Sequence, residues 1–343
     1  MRNERSEMKP DLEAPMTRFC EFFVLLFLLI PHPSSLIPGS AALAADYPAR
    51  PIRLLVPLAP GGGNDTTARL IGARLAESLG QQVIVENRPG AGSVIASEIV
   101  AKAPADGYTL YLVSTSFTAA PALVKKLPFD PLNDFAHVTR LAVVPGALIV
   151  HASLPVRSVK DYIALARARP REITFGSAGV GSGSHLGGEM FKIHARVPIT
   201  HVPYKGSAIV TTALLSGEVS SAFTNPISSL PHVKAGRIRI LALSSAQRWP
   251  LLPEYPTIAE SGVKGYEVLI WNGISVKSGT PPAIVERLHA ELLKATLIPE
   301  VINYLAKSGA RSMTQSPADF DAFVRNEIKI WNQVAAASAT QNN

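Results

Sequence analysis

From Pro51 onward short β-rich runs alternate with helical ones, and two of the strand-to-helix junctions are rich in glycine. "IRLLVPL" reads as a strand and "APGGGND" as a turn. Ala68, Ile71, Leu75 and Leu79 then fall on one face of a helix. Gly80 stands where the residue after a helix end adopts the left-handed conformation. "QVIVEN" is a second strand, "RPGAGSVIASEIVAKAP" turns into a helix that Pro104 ends, and "DGYTLYLVS" is a third strand. Alternation at these lengths predicts a parallel sheet with right-handed crossovers.

Two longer β-rich stretches follow, "VTRLAVVPGALIVH" at 138–151 and "YEVLIWNGISVK" at 266–277. Between them lies a second alternating unit, with helices expected near 158–169, 184–195, 207–216 and 228–235. Its strands are "EITFGS", "THVPYKG", "VSSAFTN" and "RIRILALSS". The C-terminal part is helical: Ser316 is a good cap with Pro317 in the first turn, and Phe320, Phe323, Val324, Ile328 and Trp331 form an apolar stripe. The pattern predicts two α/β domains joined by two crossing strands. Residues 46–147 with 268–343 would form a discontinuous first domain, and 148–267 the second. Ligands of open α/β sheets bind beyond the carboxyl ends of the strands, here in the cleft between the domains.

The N-terminus belongs to neither domain. "FFVLLFLLI" (22–30) is too short for a comfortable membrane span. Pro31, Pro33 and the small residues Ala42, Ala44 and Ala45 follow it, the order of a secretory signal peptide over residues 1–45. Its leader is long and acidic, and Met16 is an alternative start. Cys20, the only cysteine, precedes the apolar run, so the mature chain has none and offers no lipid-anchor thiol. A chain of this size needs no disulfides to hold its cores, and the periplasm is the expected compartment. Of the 33 basic and 26 acidic side chains, removal of residues 1–45 takes four and five, leaving a net charge of +8. That balance favours anionic small molecules. The bases are scattered with no block of five, so nucleic acid is not an expected partner.

The loop at Leu58 to Thr66 fails both phosphate fingerprints. G-x-G-x-x-G would need glycine at Thr66, and no Gly-Lys-Ser/Thr follows. Gly61, Gly62 and Gly63 still allow close backbone approach, and Asn64, Asp65 and Thr66 open a helix whose N-terminus can hold an anion. A tight turn without ligand is the plainer reading of this loop alone. "FGSAGVGSGSHLGGEM" (175–190) repeats the device in the second unit, with Ser177, Gly179, Ser182, Ser184 and His185. Two amide-rich helix N-termini from different domains can share one small anion. No G-x-S-x-G elbow is present, and no acid is placed to make a triad with His185. His185 and Glu189 are one helical turn apart, but His194 lies on the opposite side, which argues against a metal. Lys205 reads as a surface charge, and Trp271 as either a cleft wall or core. No catalytic residue, cofactor or metal is expected.

These residues carry a family resemblance. "YPARPIRLLVPLAPGGGND", "VIVENRPGAGSVIASEIVAKAPADGYTL", "KKLPFDPLNDF", "GSAGVGSGSHLGGEMFK", "VPYKGS" and "LPHVKAGRIRILALSSAQRWPLLPEYPTIAESGVKGYEV" together resemble the Bug-type periplasmic receptors of tripartite tricarboxylate transporters. The resemblance implies an α/β two-domain Venus flytrap fold of the type II-like periplasmic-binding-protein kind. It also implies delivery of a small organic ligand, often a carboxylate, to membrane permease subunits. Matching residues place the ligand loops on Gly61 to Asp65 and Ser177 to His185. Leu58 stands where the family often has a bulky aromatic, and Ala59 where it has proline. "STSFTAAP", containing Ser116, lacks the glycines common there, and Thr224 precedes Asn225 where an acid is frequent. Leu58, Ser116, Tyr204, Thr224, Asn225 and Trp271 complete the expected pocket, and a monomer is expected. A secreted hydrolase of a small acid, and a receptor presenting its ligand to a signalling sensor, are the alternatives left open.

Overall fold

The structure, a computed structural model, describes residues 47–341; the expected signal peptide lies outside them. Two sheets organise the chain. The first contains β1 (Ile52–Val56), β2 (Val83–Asn87), β3 (Thr109–Ser114), β4 (Phe135–Pro145), β10 (Leu269–Lys277) and the short β11 (Arg311–Ser312), in the order β11-β4-β10-β3-β1-β2. The second contains β5 (Ala147–His151), β6 (Thr174–Ser177), β7 (Thr200–Pro203), β8 (Ser221–Thr224) and β9 (Ile238–Leu243), in the order β7-β6-β8-β5-β9.

The alternating strands are parallel as expected, and the crossing strands make both sheets mixed. β1, β2 and β3 are mutually parallel, as are β6, β7 and β8, but β10 runs against β3 and β4, and β5 against β8 and β9. The reason is the double crossing. β4 and β9 leave their sheets heading toward the other sheet, so β5 and β10, which receive the chain, must run back. The stretch expected as one strand over 138–151 is therefore two, split at Gly146.

Ser244 ties the crossings together. Its hydroxyl accepts from Gly146 N at 2.7 Å and donates to Val268 O, while its backbone bonds both residues again. A chain that changes sheets must satisfy its backbone groups at the change, and one serine does so for both passages.

Helices cover the sheets: α1 (Gly63–Leu79), α2 (Val94–Ala101), α3 (Thr115–Leu123), α4 (Val159–Ala168), α5 (Gly183–Ala195), α6 (Ser207–Ser216), α7 (Pro226–Lys234), α8 (Pro282–Thr296), α9 (Pro299–Lys307) and α10 (Pro317–Gln341). α1 buries Ala68, Ile71, Leu75 and Leu79 and ends on Gly80 at φ 69°, as its sequence requires. α3 has no counterpart in the sequence reading; it starts directly at the end of β3 and carries Pro121. α10 starts on Ser316, whose hydroxyl accepts from Asp319 N at 3.2 Å. It buries Phe320, Val324, Ile328 and Trp331, with Phe323 half-buried. This helix packs on α3 and β4 of the first sheet and also touches α5 of the second.

Candidate functional site

The two glycine loops leave the carboxyl ends of β1 and β6, first in sequence among the parallel strands of their sheets. Both reach one face of β10. Asn272 Nδ2 donates to Asn64 Oδ1 at 3.3 Å, and a Cβ on Gly183 would stand 2.7 Å from Ile270 Cγ1. Residues two apart on a strand share a face. Trp271, between them, therefore points the other way. It is 2 % exposed, packs edge-on against Phe320 and Phe323, and donates from Nε1 to Glu327 at 3.1 Å. The structure places Trp271 in the core and off the cleft wall.

In the first loop Gly61 takes φ 80°, which favours glycine, while Gly62 is extended and caps α1 with no side-chain bond. Asp65 ties the loop to the helix and to β2. Its carboxylate accepts from Gly61 N at 2.9 Å, from Arg69 Nε at 3.1 Å and from Asn87 Nδ2 at 3.0 Å. It is a buried clamp on the loop, and the Arg69 guanidinium holds its carboxyl below the usual range. Asn87 also donates to Leu58 O, and Thr66 to Gly62 O. The N–H groups of Gly63 and Asn64 open the helix and have no partner within it.

A hydroxyl cluster adjoins this loop. Ser116 on α3 meets Ser93 and, at 3.0 Å, Ser114. Ala91, Gly92 and Ser93 all have positive φ, and two of them are not glycine. Local strain of that kind persists only where its surroundings enforce it.

The second loop is held by its own side chains. Ser182 caps α5 by accepting from His185 N, and donates to Gly179 O at 2.6 Å. Ser184 accepts from Ala178 N at 2.9 Å, and His185 Nδ1 from Gly181 N at 3.2 Å. Ser177 is fully buried, with Oγ 2.6 Å from His201 Nε2. The His201 ring in turn lies tilted 4.4 Å from that of His185. Burial pushes the His185 imidazole below its usual value and, with His185 beside it, takes His201 down to about 4.

The remaining expected residues divide. Leu58 is exposed at the tip of the first loop, and Thr224 is buried at the end of β8. Tyr204 follows β7 and donates to Glu218 at 2.8 Å; burial and then Glu218 push its phenol up to about 12. Lys205 is exposed. Asn225 is fully engaged: Oδ1 accepts from Ile227 N to cap α7, and Nδ2 donates to Ser308 O, a bond between elements of the two sheets.

Asn272, Arg69, Ser93 and His201 were not singled out from the sequence. Arg69 lies four residues from Asp65, a spacing that pairs charges on a helix. His201 reaches Ser177 only through strand pairing. A cavity of about 860 Å³ adjoins the second loop, lined by His185, His201, Glu189, Lys192, Leu123 and Trp331 among others. Among the described residues no cluster of three or more His, Cys, Asp or Glu could hold a metal, and no helix is long and apolar enough to cross a membrane.

The model of the tripartite tricarboxylate transporter family receptor, TctC, matches residues 67–339. Protein BugT of Bordetella pertussis is 36 % identical over 295 residues, covering 85 % of this chain and 90 % of that protein. Among solved structures, Rpa4515 of R. palustris, with adipate, is 42 % identical with a TM-score of 0.77, covering 86 % of this chain and 99 % of that one. MatC of Rhodopseudomonas palustris, with bound malate, is 31 % identical with a TM-score of 0.75, covering 84 % and 100 %. With its family model matched over residues 67–339 and its fold shared over 84 % and 86 % of its length with these solved proteins, the chain belongs to the TctC family of tripartite tricarboxylate transporter receptors.

Proposed function

We propose that the chain is exported, loses residues 1–45 near Ala44 or Ala45, and captures a small organic carboxylate in the periplasm. The captured solute is handed unchanged to the permease subunits of a tripartite transporter. The observation that carries this reading is the convergence of both glycine loops on Ile270 and Asn272 of β10. Each loop brings the N-terminus of a helix, where backbone N–H groups and partial positive charge favour an anion. Structural neighbours solved with adipate and malate support a carboxylate as that anion.

In this reading 46–147 with 268–343, and 148–267, are the two bodies that close on the ligand. Gly61 to Asn64, Thr66, Gly179, Ser182 and Ser184 line the site, with Ser116 beside it and Leu58 and Tyr204 at its rim. Asp65, Ser177 and His185 hold the loops in shape. Thr224 and Asn225 lie behind the second loop, with Asn225 holding the bodies together. The Ser177 hydroxyl meets His201 Nε2 but is fully buried, and its bonds to Gly179 hold the loop.

Mass spectrometry of the solute released from purified periplasmic protein, followed by calorimetry with adipate and malate, tests the reading. A carboxylate recovered intact and a smaller radius of gyration on binding are expected. Product accumulating in proportion to protein would replace the receptor with an enzyme.

A further inference from the structure

We propose that His201 is a positioning residue for the second glycine loop, which it holds in the binding form while neutral and releases on taking a proton. The proposal rests on the reading of that loop as a carboxylate site. His201 lies on β7 opposite Phe175, with its ring stacked 4.9 Å from that of Phe175 and tilted 4.4 Å from that of His185. Gly188 makes room for this stack, since a Cβ there would stand 2.0 Å from the Phe175 ring.

Two amides of the loop end on this stack. Ser177 Oγ accepts from Gly179 N at 3.2 Å while sharing a hydrogen bond with His201 Nε2. His185 Nδ1 accepts from Gly181 N, so that nitrogen carries no proton. A proton on His185 Nδ1 would set donor against donor at Gly181. A proton on His201, whose ring is half-buried, would set a cation against the buried ring of His185.

The charges facing the pair are mixed, with Glu189 favouring a cation on either ring and Lys192 opposing it, so burial decides. Glu189 and Lys192 of α5 form a buried ion pair at 3.1 Å, and Arg196 and Arg171 line the same cavity. From α3 and α10 the described lining residues are apolar, among them Leu123, Trp331 and Val334. The cavity reaches both imidazoles and gives water a route to them. Burial holds both rings neutral, His201 down to about 4. Opening the loop relieves that burial and returns the rings toward the ordinary value of about 6.5. Acid therefore favours the open loop, and affinity declines as pH falls from about 6.5 toward 4.

The test uses the mature protein, with adipate and malate as calorimetric probes at pH 7.5 and 5.5. For each protein the affinity at pH 5.5 is divided by its own affinity at pH 7.5. The wild type should lose roughly three- to tenfold, on the order set by one linked proton. His201→Gln should lose clearly less, since the probe's own ionisation is common to both. Nitrogen-15 spectra supply a second measurement without ligand. The Gly179 amide, which Ser177 links to His201, should shift with a midpoint below pH 6.5 in the wild type and stay still in His201→Gln, while the Gly181 amide reports His185 in both proteins. Equal affinity ratios, or a Gly179 signal that ignores pH in the wild type, would overturn the proposal. If neither probe binds at pH 7.5 the carboxylate reading fails, and the Gly179 titration still decides the role of His201.

Discussion

Ile270 and Asn272 stand two residues apart on β10, and each touches a different glycine loop. The strand thus sets where both loops sit. Gly183, the first residue of α5, has no room for a methyl group beside Ile270. Gly183→Ala should push the second loop off β10 and cost about 1–3 kcal/mol of stability, with weaker binding. Ile270→Ala opens the space again, so the double variant should recover much of the loss. A coupling near zero in chemical denaturation and calorimetry would show that the loop does not rest on this contact.

Asn225 joins the two sheets at a second place. Asn225→Ala removes a helix cap and the bond to Ser308 O, and should cost about 1–3 kcal/mol. Asn225→Asp keeps the cap and loses only the donor, so it should fall between. Equal stability of all three proteins in urea would remove Asn225 from the link between the bodies.

These two contacts also mark what the sequence could tell. The α/β alternation, Gly80 and the Ser316 cap were legible because each follows from chemistry within a few residues. Asn225 followed by Pro226 is a cap with proline in the first turn, a local signal that its expected place in the pocket obscured. Trp271 attracted attention as the large aromatic of its stretch, yet its neighbours on either side face the loops. The two-residue period fixes which residues share a face, but only the fold decides which face is buried. The His201–Ser177 bond depends on the parallel register of β6 and β7, which no single strand encodes.

His137 makes global stability depend on pH. It is buried in the first sheet, bonded at 2.8 Å to Ser275 Oγ and packed against Phe117 and Phe320. Burial takes its imidazole down to about 4. The unfolded chain binds this proton near the ordinary value of about 6.5, so stability is full above that pH. It is lost as pH falls toward about 4 and then levels off, with at most about 3 kcal/mol at stake. His137→Gln should flatten urea midpoints measured between pH 7 and pH 4.5. An unchanged slope would assign the acid loss to other groups.

The last expectation concerns how the carboxylate is recognised. Residues 60–67 and 176–185 contain no Arg or Lys, and the guanidinium of Arg69 on α1 is engaged by Asp65 and Asn87. Backbone amides and hydroxyls therefore have to recognise the charge, and hydrogen bonds to a charged acceptor contribute roughly 1.5–3 kcal/mol each. Gly62 offers a clean test of close approach. Its backbone is extended, and a Cβ there would meet only Ala59 O at 3.7 Å, so Gly62→Val should fold normally. Any loss of affinity then reports a side chain standing where the ligand must come. A loss of about tenfold or more is expected, since about 1.4 kcal/mol is a factor of ten. A methyl ester of the bound carboxylate should bind as poorly, because it removes the charge those amides meet. Lys205, exposed at the end of β7, should matter less than either. Calorimetry on Gly62→Val, Lys205→Ala and the ester separates the two mechanisms. If Lys205→Ala abolishes binding while the other two leave it intact, a side-chain cation recognises the ligand and the amide cradle does not.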